Sequence, residues 1–203
     1  MGHYFQQAVV EGFNSLLIKQ LFDIERSNDQ IAADFARDVY AAGSPGIESD
    51  GGVHCPDKSF GHKDATELGV ILEVSHSLKR EYLPFLTDEY ILGSNGLTQV
   101  VIGIDLEYRK NKAKEARVIV WRPTETKENG KTILATKKIF ERNFRDTDGN
   151  LVNGEQNLQI GLQDFGNKLD CPGIQKVQGA ITISFAQLHE VVQESEAFAC
   201  KFR

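Results

Sequence analysis

Two acidic residues stand in unlike surroundings and invite one chemistry. Asp57 follows Pro56, and after fifteen intervening residues Glu73 interrupts the apolar run Val70-Ile71-Leu72-Glu73-Val74-Ser75. A buried carboxylate is costly unless it is paired, hydrogen-bonded or metal-bound, so Glu73 needs a partner. In an extended strand side chains alternate faces, which puts Val70, Leu72 and Val74 on one side and Ile71, Glu73 and Ser75 on the other. If Asp57 ends a neighbouring strand, it reaches the same place as Glu73. Two carboxylates, the backbone carbonyl of Val74 and waters then form an oxygen-rich site suited to Mg²⁺ or Mn²⁺.

Each residue also has a plain structural reading. Asp57 fits a turn residue capping nearby amides. Glu73 fits a buried ion pair with Lys79, Arg80 or an arginine from elsewhere. Lys79 fits a solvated loop, and Ser75 a hydrogen bond near a strand end. His54 and His76 flank the two acidic pieces, either as metal ligands or as structural residues. Other motifs are weaker. Asp146-Thr147-Asp148-Gly149-Asn150 begins like a calcium loop, but the twelfth place holds Asn157 rather than Glu, so a polar turn is expected. Gly93-Ser94-Asn95-Gly96 lacks the Lys-Ser/Thr of a phosphate loop. No Gly-x-Ser-x-Gly elbow is present, and no cysteine has a recognisable protease context.

With 203 residues, 40% of them hydrophobic, the chain is expected to form a single domain over 1–203. No apolar stretch approaches the roughly 20 residues of a membrane span. The N-terminus lacks the basic and apolar regions of a secretory signal and reads as untargeted. Cys55, Cys171 and Cys200 are odd in number and far apart, which suits reduced thiols in an intracellular compartment, cytoplasmic or nuclear. A net charge of −6 argues against a general nucleic-acid-coating protein. Two basic stretches are candidates for phosphate contact: Arg109, Lys110, Lys112, Lys114 and Arg117, then Lys131, Lys137, Lys138, Arg142 and Arg145.

The elements that must position Asp57 and Glu73 follow from periodicity. Val9, Phe13, Leu17 and Leu21 recur every four residues and give a helix over 5–21. Ser27-Asn28-Asp29-Gln30 has capping-box form and opens a second helix carrying Ile31, Phe35 and Val39, ended by the segment 43–46. Short strands follow over 46–60, broken by Asp50-Gly51-Gly52, then a strand over 69–75. Pro84 opens a helix over 84–92 with Gly93 as its cap. Strands are expected over 98–108, 116–122 and 132–140, the last two joined through Asn129-Gly130. Strands at 158–162 and 180–183 precede a final helix opened by the capping box Ser184 to Gln187. The fold class is α/β, a mixed sheet flanked by helices.

The order αβββαβ, with Pro-Asp and then Glu on the third strand, resembles the restriction-endonuclease-like, or PD-(D/E)XK, nuclease superfamily. The resemblance covers about 29–108, with 1–28 and 109–203 as elaborations that include a hairpin and a C-terminal helix. The stretches PDKSF, VILEVSHS, LTDEYILGSNG, VVIGIDLEY and VIVWR are also similar to a group of bacterial and fungal nuclease-like proteins whose strand reads Glu-Val-x-Ser. The resemblance implies a metal-dependent nuclease acting on nucleic acid, DNA first, with Asp57 and Glu73 binding Mg²⁺ or Mn²⁺. Ser75 stands where the motif has Lys, and Lys79 is the substitute that would orient the attacking water or hold transition-state charge. Glu11 is the candidate for the acidic residue many members carry on the first helix. Homodimerisation is common in such nucleases. The alternative is a non-catalytic module on the same fold that binds nucleic acid or a protein.

Overall fold

Helix α1 (Gly2–Glu25) turns Phe5, Val9, Val10, Phe13, Leu17 and Leu21 to one side, and all six are buried. The computed structural model describes residues 2–49, 51–76, 80–107, 114–128 and 130–202, with backbone alone at His76, Arg80 and Phe202. Helix α2 (Gln30–Arg37) is capped by Asp29 rather than Ser27. Asp29 has extended backbone, and its Oδ1 accepts from the amides of Ile31 and Ala32 at 3.1 Å each, whereas the Ser27 amide closes the last turn of α1 on Ile24. The second helix is also shorter than its pattern suggests. Val39 continues the four-residue spacing of Ile31 and Phe35 but opens strand β1 (Val39–Gly43). Pairing with a distant strand overrides the local helical period there.

A small separate hairpin, β2 (Ile47–Ser49) and β3 (Gly52–His54), comes next. Strands β4 (Lys58–His62) and β5 (Val70–His76) follow, then a short 3₁₀ turn (Arg80–Tyr82) and helix α3 (Leu83–Gly93) with Pro84 in its first turn. Asn95 and Gly96 then both take positive φ, 52° and 77°, and the Gly96 amide returns to the Ile91 carbonyl at 2.8 Å. This left-handed pair, not Gly93, reverses the chain after α3. Strands β6 (Val100–Leu106), β7 (Ala116–Glu128) and β8 (Lys131–Arg145) complete a six-stranded mixed sheet ordered β1-β4-β5-β6-β7-β8. Only β5 and β6 run parallel, joined through α3; the other neighbours are antiparallel. Strands β9 (Asn157–Gly161) and β10 (Ala180–Ser184) form a second ribbon, and α4 (Phe185–Ala199) closes the fold behind the expected Ser184–Gln187 capping box.

The sheet is covered on both faces, as its apolar central strands require. Val70, Leu72 and Val74 of β5 pack with α1 and α4 in the larger core, while Ile71 joins Leu83, Tyr90 and Ile91 of α3, with Trp121, in the smaller one. Arg145 is fully buried, and its guanidinium meets Glu196 of α4 through two contacts of 2.9 Å, pinning the last helix to β8. Among the described helices none is long and apolar enough to cross a membrane.

Gly69 stands where the backbone of 164–165 crosses the entry to β5. A Cβ there would lie 2.1 Å from the Asp164 carbonyl oxygen. Gly69→Ala is therefore expected to destabilise the fold by at least about 2 kcal/mol, since backbone rather than a flexible side chain must yield; urea unfolding measures it. At the other edge His62 stacks on Phe35 of α2, centroids 4.2 Å apart, with its Nδ1 3.8 Å from Cys171 Sγ. Burial lowers the His62 pKa, against the opposing charges of Asp64 and Asp38. A histidine held neutral binds fewer protons folded than unfolded, so stability is full above the unfolded value of about 6.5 and falls as pH drops below it. His62→Gln is expected to reduce the stability loss between pH 7.5 and pH 5, read as urea midpoints of the two proteins.

Candidate functional site

The register of β4 and β5 brings the two carboxylates to one end of the sheet. Phe60 pairs with Val70, Ser59 with Ile71 and Lys58 with Leu72. Asp57 stands one residue before this ladder, at the end where Glu73 follows Leu72. Asp57 Oδ2 accepts the Val74 amide at 2.7 Å, and Gln6 Nε2 of α1 reaches Oδ1 and Oδ2 at 2.8 and 2.9 Å. These bonds run to another strand and another helix, so Asp57 is not a turn residue capping its own neighbours. Its partners are all neutral. Among the described residues no Lys or Arg pairs with it.

Glu73 is 8% exposed, and Tyr90 of α3 donates its phenol hydrogen to Glu73 Oε1 at 2.6 Å. Burial pushes the Tyr90 pKa far up, and the charges of Glu73 and then Asp57 push it further. Tyr90 thus stays a hydrogen-bond donor at any working pH. The charges of both carboxylates act on this one phenol.

The donor chemistry fits a hard divalent cation. A carboxylate has about four lone-pair sites, and Asp57 accepts three contacts from two neutral donors. A strand residue exchanges N–H and C=O with the same neighbouring strand, so both groups leave on one edge. The Val74 amide meets Asp57. Its carbonyl is therefore directed to the same edge, beyond the last β4–β5 rung. Among the described residues no group of three or more His, Cys, Asp or Glu side chains is placed to hold a metal. A cation here would rest on two carboxylates and neutral oxygens.

Ser75 has a different partner. Its hydroxyl donates to Asp105 Oδ1 at 3.0 Å, and Asp105 Oδ2 lies 3.2 Å from Arg117 Nε. The pairing of Ser75 with Asp105 and of Asp105 with Arg117 sets the three in one row across β5, β6 and β7. Arg117 also meets Glu141 at 3.0 Å. Asp105 is 2% exposed and was not singled out from the sequence, although an acid inside Ile104-Asp105-Leu106 repeats the signature of Glu73. Arg117 and Arg145, both placed in basic stretches by the sequence, are engaged with acids inside the protein instead.

The remaining candidates are dispersed. Glu11 pairs with Lys58 Nζ at 3.1 Å, and it is Gln6, five residues earlier, that reaches Asp57 from α1. His54, on β3, lies 3.7 Å from Glu89 and edge-on to Phe85, with no hydrogen bond to Asp57 or Glu73. Lys79 and the His76 side chain lie outside the described residues. Of the residues around the acids, Gln6 gave no sequence signal. Tyr90 is legible only once α3 is known to pack on the Glu73 face. The Asp146 loop is a polar turn, its Oδ1 accepting from the amides of Asp148 and Asn150 at 3.0 and 2.8 Å.

No family model, no curated protein and no solved structure matches this chain.

The two kinds of acid should respond differently to neutralisation. Asp57→Asn keeps the size and removes a charge that has no cationic partner among the described residues, so it should change stability by less than about 1 kcal/mol. Asp105→Asn breaks a buried ion pair with Arg117 and should cost about 3 kcal/mol. Chemical denaturation of the two variants measures the contrast.

Proposed function

We propose that this protein is a divalent-cation-dependent nuclease of the restriction-endonuclease-like, PD-(D/E)XK type, hydrolysing phosphodiester bonds, with DNA as the first substrate to test. The observation that carries the reading is the state of Asp57. It is a half-buried carboxylate held only by the Gln6 amide and the backbone N–H of Val74, the residue that follows Glu73 in β5. An acid placed for structure alone is ordinarily matched by a protein cation when buried. The order α2, β1, β4, β5, α3, β6, with the β2–β3 hairpin set aside, agrees with the αβββαβ order of that superfamily.

In this reading Asp57, Glu73 and the Val74 carbonyl hold Mg²⁺ or Mn²⁺. When bound, such an ion lowers the pKa of a water and neutralises charge on the scissile phosphate. Gln6 and Tyr90 fix the two carboxylates from opposite faces of the sheet. The water-orienting cation is assigned from the sequence to Lys79. Ser75 favours a second reading: the motif lysine position is occupied by a hydroxyl already bonded to Asp105, which suits a module that binds nucleic acid without cutting it.

Calorimetric titration with Mn²⁺ and incubation with plasmid and single-stranded DNA test the proposal together. Mn²⁺ binding that is lost in Glu73→Ala, with cleavage lost in both Asp57→Ala and Glu73→Ala, is the expected result. Binding without cleavage would select the second reading. Cleavage that persists unchanged in both variants would mark contamination and remove support for the site.

A further inference from the structure

Gln6 sets a single amide nitrogen against both oxygens of Asp57, at 2.8 and 2.9 Å. That arrangement satisfies Asp57 when no cation is present, and it occupies the side of the carboxylate that faces α1. The amide nitrogen, its lone pair delocalised into the carbonyl, is no metal ligand, but the amide carries a second, opposite group. Its oxygen is a hard neutral ligand of the kind divalent cations accept. Oxygen and nitrogen of a primary amide are nearly the same size, so a half-turn about one bond exchanges them without moving the helix. The helix itself is not free to withdraw, because the flanking Phe5 and Val9 are buried in the larger core.

We propose that Gln6 is a charge-neutral oxygen ligand of the Asp57–Glu73 cation site: it donates to Asp57 when the site is empty and presents its Oε1 when a cation binds. The proposal rests on the metal reading above. Gln6 and the Val74 carbonyl would supply oxygens to such an ion and no charge. A glutamate at position 6 would put a third carboxylate against Asp57. It would repel Asp57 in the empty protein and attract a cation more strongly in the filled one.

Thermal unfolding with and without MnCl₂, and calorimetry with MnCl₂, performed on the full chain and on Gln6→Leu and Gln6→Glu, test this. The expected stoichiometry is one Mn²⁺ per chain. Gln6→Leu should weaken Mn²⁺ by about tenfold or more, as losing a supporting group at a metal site does. Gln6→Glu should melt lower than the unaltered protein without metal and gain more in Tm when Mn²⁺ is added. If both variants shift Tm but leave Mn²⁺ affinity unchanged, Gln6 is only a hydrogen-bond partner of Asp57 and the proposal falls while the metal reading stands. If the unaltered protein binds no Mn²⁺, both fall. Should Gln6→Glu fail to fold, Gln6→Leu with its affinity decides alone.

Discussion

The antiparallel pairing of β4 with β5 determines what every charged group near Glu73 can touch. Three rungs, Lys58 with Leu72, Ser59 with Ile71 and Phe60 with Val70, fix it. Because strand side chains alternate, a slip of one residue would turn Val70, Leu72 and Val74 away from the larger core and bring Glu73 into it. The apolar content of β5 thus enforces the register, and the register carries Asp57 to the Val74 amide. The parallel partner β6 adds the complementary constraint. Its pairing puts Gly103 beside Glu73 and Asp105 beside Ser75, so the side chain next to the glutamate on that strand is a hydrogen.

The acids on and around this sheet divide into two kinds by their partners. Asp105 is tied to Arg117, Asp164 to Arg122 and Glu196 to Arg145, each a carboxylate matched by a guanidinium that joins two elements. The Arg122 and Arg145 pairs have two contacts each, the geometry in which arginine binds carboxylate best. Asp57 lies outside this pattern. Its donors are neutral, they come from α1 and β5, and they orient the carboxylate without cancelling its charge. A protein that reserves one carboxylate in this way leaves a local demand for positive charge, which the proposed divalent ion would meet.

Much of this was legible in the sequence, and the reasons differ by element. Strong local patterns carried through: the apolar run of β5, the alternation that sets Glu73 and Ser75 on the face opposite Val74, and the Ser184–Gln187 box that opens α4. What failed was decided at a distance. Val39 continues a helical spacing yet opens β1, because β4 offers it a partner about twenty residues on. Asp105 shows the same signature as Glu73, but only the β5–β6 register reveals that it takes up Ser75. Gln6 could not be picked from α1 by any local rule, since its contact with Asp57 spans 51 positions. Glu11 looked the better candidate by charge and instead neutralises Lys58.

The central claim is that Asp57 and Glu73 share one divalent cation. Anomalous scattering from crystals soaked in Mn²⁺ tests it most directly, because it locates the ion without reference to substrate or activity. The account predicts one peak within coordination distance of a carboxylate oxygen of Asp57, one of Glu73 and the Val74 carbonyl. A peak that touches only one of the two acids, or none at this end of the sheet with Gln6 and Tyr90 still in their present bonds, would contradict it.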